Sequence, residues 1–473
     1  MQDGPAALSA PFLLRRLREL GLVDDAQEQA LLRDGILTLP DLELAIAEER
    51  PSAAAPALRR AADTLRREPR PILLGRAWDV LERFLPAFEQ CTEIESLEPS
   101  GAVRRAEPLI QHLVVVACAS DPARAAQCVG TLPPKSEVLH RSGRRVLVLY
   151  EGYEIDVRIA TRDECGTLLF TTTGPAGHVA QVLKRRGIRL SAAEPDVYAH
   201  AGLAWLPPET RDAPDALARA QARTVPRLVT RDDIRGDLHM HTSYSDGRDP
   251  LRHMVQASRA LGYDYIAITD HSEHSAASRT LTHADIARQA AEIARVRRET
   301  PGMAILHGLE VDILPDGTLD CPDEVLASLD IVLASLHDSA GHDGARLTKR
   351  CLSAIYNPLV TVITHPANQL VGRRAGYDMD YAAIYAAAAE TGTALEIDGA
   401  PSHLDLNGER AREAVEAGAT VVIDSDCHRS HALDRQMRMG VGTARRGWVE
   451  PRHVLNTRSL DDVRAFIARK RAR

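Results

Sequence analysis

The sequence predicts an α/β multidomain protein: a helical N-terminal region, an α+β region, and a C-terminal half of alternating strands and helices closed into a barrel. Three observations carry this. Apolar residues recur at helical spacing through roughly residues 1–95, short strand-like apolar runs take over from about 96, and seven such runs alternate with helical stretches after about 235. Helical periodicity marks the first region, and strand alternating with helix implies a parallel sheet in the last.

The helical region rests on "PFLLRRLRELGL", "DLELAIAEE", "APALRRAADTLRRE" and "GRAWDVLERFLPAF", each with an apolar stripe. Strands are expected at "LIQHLVVVACA", "RRVLVLYEG" and "YEIDVRIAT", and "HVAQVLKRRGIRL" closes that region as a helix. The proline- and charge-rich "WLPPETRDAPDALARAQARTVPRL" reads as a linker. The expected divisions are therefore 1–95, 96–206, a linker at 207–234, and 235–473. In the last, the runs "DLHMHT", "YIAITDH", "AILHGLEVDI", "IVLASLHD", "VTVITHP", "TALEIDG" and "TVVIDSDCH" are the strands. Stretches such as "ADIARQAAEIARVRRE", "YAAIYAAAAETG" and "GERAREAVEAGA" are the helices between them.

Composition narrows the function classes. The net charge of −8 argues against a general nucleic-acid coat but is compatible with a local basic groove, and 4% aromatics weakens a base-stacking platform. No apolar run is long enough to span a bilayer, and "MQDGPAALSAPFLLRRLREL" lacks the basic start and apolar centre of a signal peptide. Seven cysteines without a C-x-x-C pair predict neither a disulfide framework nor a cysteine zinc site. The expectation is a cytoplasmic protein with no membrane partner; nothing indicates an oligomeric state.

In a β/α barrel the functional side chains gather where strands end and loops leave. The runs end in His239 and His241 (with Asp246 in the loop), His271, Glu310, His337, His365, and Asp426 with His428. A lone histidine after an apolar run is usually a solvated loop residue, and a lone aspartate a helix cap. Six histidines and three carboxylates at one end of one domain are a different matter, because groups so crowded repel or go unpaired unless cations hold them. Mixed imidazole and carboxylate donors without thiolate suit zinc, manganese or iron, and nine exceed one ion's needs, so two or three divalent ions are expected. Cys427 alternates away from Asp426 and His428 and is assigned to packing.

These motifs, "DLHMHTSYSDG", "ITDHS", "GLEVDI", "SLH", "THP" and "SDCH", make residues 235–458 resemble the PHP (polymerase and histidinol phosphatase) domain. The resemblance implies a distorted (β/α)7 barrel with a trinuclear metal centre. It implies one ion on His239, His241, Glu310 and Asp426, and a second bridged by Glu310 and held with His337 and His365. A third would lie on Asp246, His271 and His428. "MGVGTARRGWVEPRHVLNT" and "LAWLPPETRD…VPRLVTRDDIRGDLH" resemble the version attached to bacterial and archaeal family X DNA polymerases. That version implies phosphoester hydrolysis at DNA 3′ ends, as a 3′-5′ exonuclease or 3′-end trimming activity of DNA repair.

The resemblance continues, more weakly, over residues 30–206. "LEPSGAVRRAEPLIQHLVVVACA" resembles a nucleotidyltransferase-like palm, keeping Gly101, Arg104 and Arg105 but with Ala102 at the serine and Gln111 and Leu113 at the two aspartates. Asp156 alone remains of three carboxylates and is expected to be a salt-bridged strand-end remnant. "PSAAAPA" fills what resembles a helix-hairpin-helix turn, where alanine and proline replace the glycines that offer N–H groups to phosphate. Within the barrel, Asp398 and His403 stand where Asn and Arg are typical, and Ala367-Asn368-Gln369 follows "THP". Arg373 and Arg374 are candidate phosphate contacts.

The expected function is a metal-dependent phosphoesterase with an inactive polymerase-like half, acting on DNA 3′ ends or on a small phosphate ester. Two other readings compete with it: an active family X repair polymerase with an editing barrel, and a non-catalytic DNA-end-binding scaffold. One aspartate cannot hold two magnesium ions, which counts against the first, and an open nine-donor cluster is not a structural site, which counts against the second.

Overall fold

A computed structural model describes residues 11–19, 22–65, 71–88, 91–129, 134, 136–186, 189–275 and 277–473. Part of the expected helix at 55–68, residues 187–188 within "HVAQVLKRRGIRL", and residues 1–10 and 20 of the N-terminal stretch lie outside these. The chain forms two compact units, Met1–Val225 and Pro226–Arg473. The division falls inside the 207–234 segment, which carries the helix Ala216–Ala222 on one side and the turn Arg231–Asp233 on the other.

In the first unit, helices Phe12–Glu19, Asp25–Arg33, Leu39–Ala47 and Pro56–Leu65 bury Leu14, Leu17, Leu31, Leu42 and Leu58 against one another. The short turn Pro51–Ala53 occupies the expected hairpin. Strands β1 (Ile72–Leu73) and β3 (Leu109–Ile110) pair antiparallel. Strands β2 (Ile94–Ser100), β4 (Leu113–Ala119), β5 (Ser136–Ser142), β6 (Arg145–Tyr150) and β7 (Tyr153–Ala160) form a sheet ordered β2-β4-β7-β6-β5. Asp156 sits in the middle of β7, opposite Val114, rather than at a strand end.

Two disulfides overturn the expectation, drawn from the odd number of cysteines and their spacing, that the chain has no disulfide framework. Cys91 pairs with Cys128 and Cys118 with Cys165 as disulfides, while Cys321, Cys351 and Cys427 are free and buried. The partners lie 37 and 47 residues apart, so only the packing of this sheet against its helices brings them together.

The second unit is a parallel sheet of seven strands among the described residues: β8 (Gly236–Asp237), β9 (Tyr265–Ile268), β10 (Ala304–Asp312), β11 (Ile331–Ser335), β12 (Val362–Ile363), β13 (Ala394–Asp398) and β14 (Val421–Asp424). Each neighbours the next in sequence. The ends meet through two carboxylates and one backbone bridge: Asp424 accepts from the Leu238 N–H at 2.7 Å, Asp237 accepts from the Ser425 N–H at 3.1 Å, and Met240 forms a parallel backbone bridge with Cys427. The sheet is therefore a nearly closed barrel.

Alternation within strands decides what lines it. Ala267, Leu306, Ile331, Leu333, Val362, Ala394 and Val422 form one cluster, plugged by Val463, Phe466 and Ile467 of the C-terminal helix Leu460–Arg471. Their strand neighbours, among them Ile266, Ile305, Val332, Ile363, Leu395 and Ile423, face the surrounding helices. Continuing the inner parity along each strand, two residues at a time, replaces the apolar lining with Glu310, Ser335, Glu396, Asp398, Asp424 and Asp426. The barrel is thus apolar at one end and acidic at the other. No helix among the described residues is long and apolar enough to cross a membrane.

Candidate metal centre

All nine side chains predicted from the strand ends come together at the acidic mouth. Glu310, on β10 and 1% exposed, is the middle of the group. Its Oε2 lies 2.8 Å from His271 Nδ1, 3.4 Å from His239 Nε2 and 3.6 Å from His241 Nε2. Its Oε1 lies 3.0 Å from His365 Nε2 and 3.5 Å from His337 Nε2. Ser335 Oγ and Thr364 Oγ1 donate to the same Oε1 at 2.6 and 3.0 Å.

The remaining carboxylates frame this centre. Asp426 Oδ1 is 3.1 Å from His241 Nε2, and Asp246 Oδ1 is 3.2 Å from His428 Nε2 and 3.6 Å from His271 Nε2. Three overlapping groups have donor atoms all within 4.8 Å: His241, Asp246, His271 and His428; His239, His241 and Glu310; and His271, Glu310 and His337.

Local structure aims these groups. Strand β8 stops two residues before His239, because the next amides are taken by side chains: Leu238 N–H by Asp424, Met240 N–H by Thr269 Oγ1 at 3.0 Å, and Thr242 N–H by Asp270 at 2.8 Å. The extended backbone continues, so His239 and His241 keep the same side and their Nε2 atoms lie 3.1 Å apart. Asp270 also accepts from Ser245 N–H at 3.1 Å and Gln289 Nε2 at 2.6 Å, pinning the loop that presents Asp246. His365 and Asp426 hold left-handed backbone, with φ of 25° and 47°. Such strain in residues other than glycine costs about 1–3 kcal/mol each and concentrates at functional sites. Gly399 lets β13 end against the neighbouring helix, since a Cβ there would collide with the Gln436 carbonyl.

Two carboxylates that strand-end reading passed over orient the rings. Glu396 Oε1 lies 2.6 Å from His239 Nδ1, and Asp312 bonds His337 Nδ1. Each leaves Nε2 to face the centre, the usual way a ligating imidazole is held. The signal was in the sequence: both lie two residues from a residue already picked out, Glu396 before Asp398 and Asp312 after Glu310. Cys427 is buried in the core as expected.

The electrostatics follow from burial and crowding. Burial alone would neutralise His239, but Glu396, Glu310 and Asp426 outweigh it and hold its pKa well above the ordinary value. Burial and the charges of His271 and His428 push His241 down to about 3. Against burial, Glu310 raises His337 to about 10 and Asp246 raises His428 to about 9. Glu310 and Asp426 stay ionised despite burial, because the surrounding histidines hold both well below the carboxylate range. Facing imidazole nitrogens and ionised buried carboxylates are what a cation would satisfy, so the donor set fits divalent metal.

Arg373 and Arg374 lie outside this group, on the exposed loop after His365. Arg374 donates to the Asn368 carbonyl at 2.9 Å and to its side-chain oxygen at 2.7 Å. Arg373 has no side-chain partner among the described residues.

In the first unit Asp156 is 2% exposed and fully engaged. Arg145 reaches its two oxygens at 2.7 and 2.9 Å, and Arg158 reaches it at 2.8 Å. Both arginines also pair with Asp41, which accepts from the Leu37 and Thr38 N–H groups at 3.0 and 2.9 Å.

Comparison with known proteins adds the lineage. The PHP domain model matches residues 237–414, containing seven of the nine residues, with Asp426 and His428 beyond it. The chain is 36% identical over 424 residues to the DNA polymerase/3′-5′ exonuclease PolX of Bacillus subtilis (strain 168), covering 85% of this chain and 74% of that one. It is 30% identical over 210 residues to a probable phosphatase of Thermoanaerobacter sp. (strain X514), covering 42% of this chain and 81% of that one. A crystal structure of Lactococcus lactis histidinol phosphate phosphatase, complexed with zinc, L-histidinol and phosphate, matches 46% of this chain and 95% of its own. That match has 17% identity and a TM-score of 0.36. With identity of this order along most of both chains, the protein belongs to the PolX family, and its barrel is a PHP domain of the metal-dependent phosphoesterase class.

Proposed function

We propose that the barrel hydrolyses phosphoester bonds at DNA 3′ ends, as a 3′-5′ exonuclease or 3′-end-processing activity in the cytoplasm. In this reading two or three divalent ions (zinc, manganese or iron) are held by His239, His241, Asp246, His271, Glu310, His337, His365, Asp426 and His428. The observation that carries it is the convergence of five imidazoles within 2.8–3.6 Å of the two oxygens of Glu310. Ions in such a centre supply a nucleophilic water at neutral pH and neutralise phosphate oxygens. The protein's share is orientation: Glu396 and Asp312 fix the imidazoles and Glu310 stays ionised, and in this reading Arg373 and Arg374 of the exposed loop after His365 contact a substrate phosphate.

DNA as substrate is supported by the relationship to a DNA polymerase/3′-5′ exonuclease. The polymerase-like half is read as inactive. Gln111 and Leu113 offer no carboxylate to a metal, and Asp156 spends both oxygens on Arg145 and Arg158. A second reading, a small phosphate ester, is favoured by the relationship to probable phosphatases.

The test is hydrolysis of a 3′-labelled nicked duplex and of a small phosphomonoester under manganese and zinc titration, with His271→Ala as control. Stepwise shortening of the strand, lost in the control, supports the DNA reading. Monoester cleavage alone selects the second. Primer extension with dNTP and magnesium would overturn the assignment of an inactive polymerase half.

A further inference from the structure

Beside the nine residues, the barrel mouth holds another group with metal-binding chemistry. Asp398 ends β13, His403 lies in the loop after it, and these two bring donor atoms within 4.8 Å of each other and of the Asp426 carboxylate.

The state of Asp398 is the informative observation. It is 0% exposed. Its Oδ1 accepts from the Ala400 N–H at 2.6 Å, but its Oδ2, also buried, has no hydrogen-bond partner among the described residues. Glu396, on the same strand and face, is committed to the His239 ring and the His365 N–H at 2.6 Å each. His403 is stacked on His365, with ring centroids 5.4 Å apart and planes at 27°. Its carbonyl is fixed by Gln369 Nε2 at 2.8 Å, and its buried Nδ1 has no partner among the described residues.

A buried carboxylate oxygen with nothing to accept, beside a second buried carboxylate and an unpartnered imidazole nitrogen, is unfavourable as it stands. A shared proton or a cation relieves it. A shared proton serves the two carboxylates alone, whereas a cation takes one donor atom from each of the three side chains. We propose that Asp398, His403 and Asp426 hold a further divalent cation, with Asp426 shared between it and the nine-residue centre. Two carboxylates and an imidazole suit zinc or manganese. The inference rests on the reading of that centre as a metal centre.

The experiment uses the full chain loaded with manganese, with anomalous diffraction at the manganese edge. Metal content is measured on wild type, Asp398→Asn and His403→Asn. The expected result is an anomalous peak between Asp398, His403 and Asp426. Each variant should lose that peak and one equivalent of manganese per chain, with the peaks among the nine residues retained. Peaks at the nine-residue centre with none at Asp398 would overturn the inference and leave the main reading intact; so would unchanged metal content in both variants. No peak at either place would overturn both.

Discussion

Replacing Glu310 by glutamine removes the charge on which five imidazoles converge while keeping the side chain's shape. The hydroxyls of Ser335 and Thr364 can still donate to the amide oxygen, so packing around the site is preserved. The lost interaction can be sized from the imidazole distances. A unit positive charge about 3.5 Å from the carboxylate, at an effective dielectric of about 20, is worth roughly 5 kcal/mol. At about 1.4 kcal/mol per decade this is more than ~1,000-fold in metal affinity, and a divalent ion loses at least as much. The assay is metal content after dialysis against graded free manganese, with circular dichroism to show the fold and phosphoester hydrolysis measured in parallel. Glu310→Gln is expected to stay folded, to need at least about a thousandfold more free metal for loading, and to lose hydrolysis at ordinary metal concentrations. Full metal content and turnover within about threefold of wild type in this variant would refute the idea that Glu310 holds the centre together.

Asp41→Ala breaks a buried ion-pair network but leaves Asp156 with both arginines, so the first unit should lose about 3 kcal/mol. Urea unfolding followed by tryptophan fluorescence would register this as an earlier transition, and a loss under about 1 kcal/mol would show the network to be marginal. Metal loading should release protons: in the metal-free protein His337 and His428 titrate at about 10 and about 9, so at pH 7 both carry a proton that the ion must displace. Loading therefore tightens as pH rises from 7 towards 9–10, and a pH-stat should record base uptake on adding zinc; none would contradict the assigned ligands. Arg373→Ala should raise KM for DNA by roughly tenfold at unchanged metal content, because its guanidinium has no structural partner to lose. An unaltered KM would remove it from the substrate path.

How much of this was legible in the sequence depends on the range of the interaction concerned. Strand alternation is local, so the seven runs, the helices between them and the residues ending each strand could be read directly, and all nine gather at one mouth, His365 through its contact with Glu310. The same parity carried Glu396 and Asp398 into the mouth, and it was available to a reader who continued it two residues further. What the sequence could not decide was pairing between distant segments. The disulfides Cys91–Cys128 and Cys118–Cys165, the clamp of Asp41 on Arg145 and Arg158, and the His403 ring against His365 join residues whose spacing carries no signal. Residue type and period determined which side chains reach the mouth. Only the closing of the sheet decided which buried oxygens and nitrogens are left there without a partner, because hydrogen bonding is set by the atoms a group meets in space.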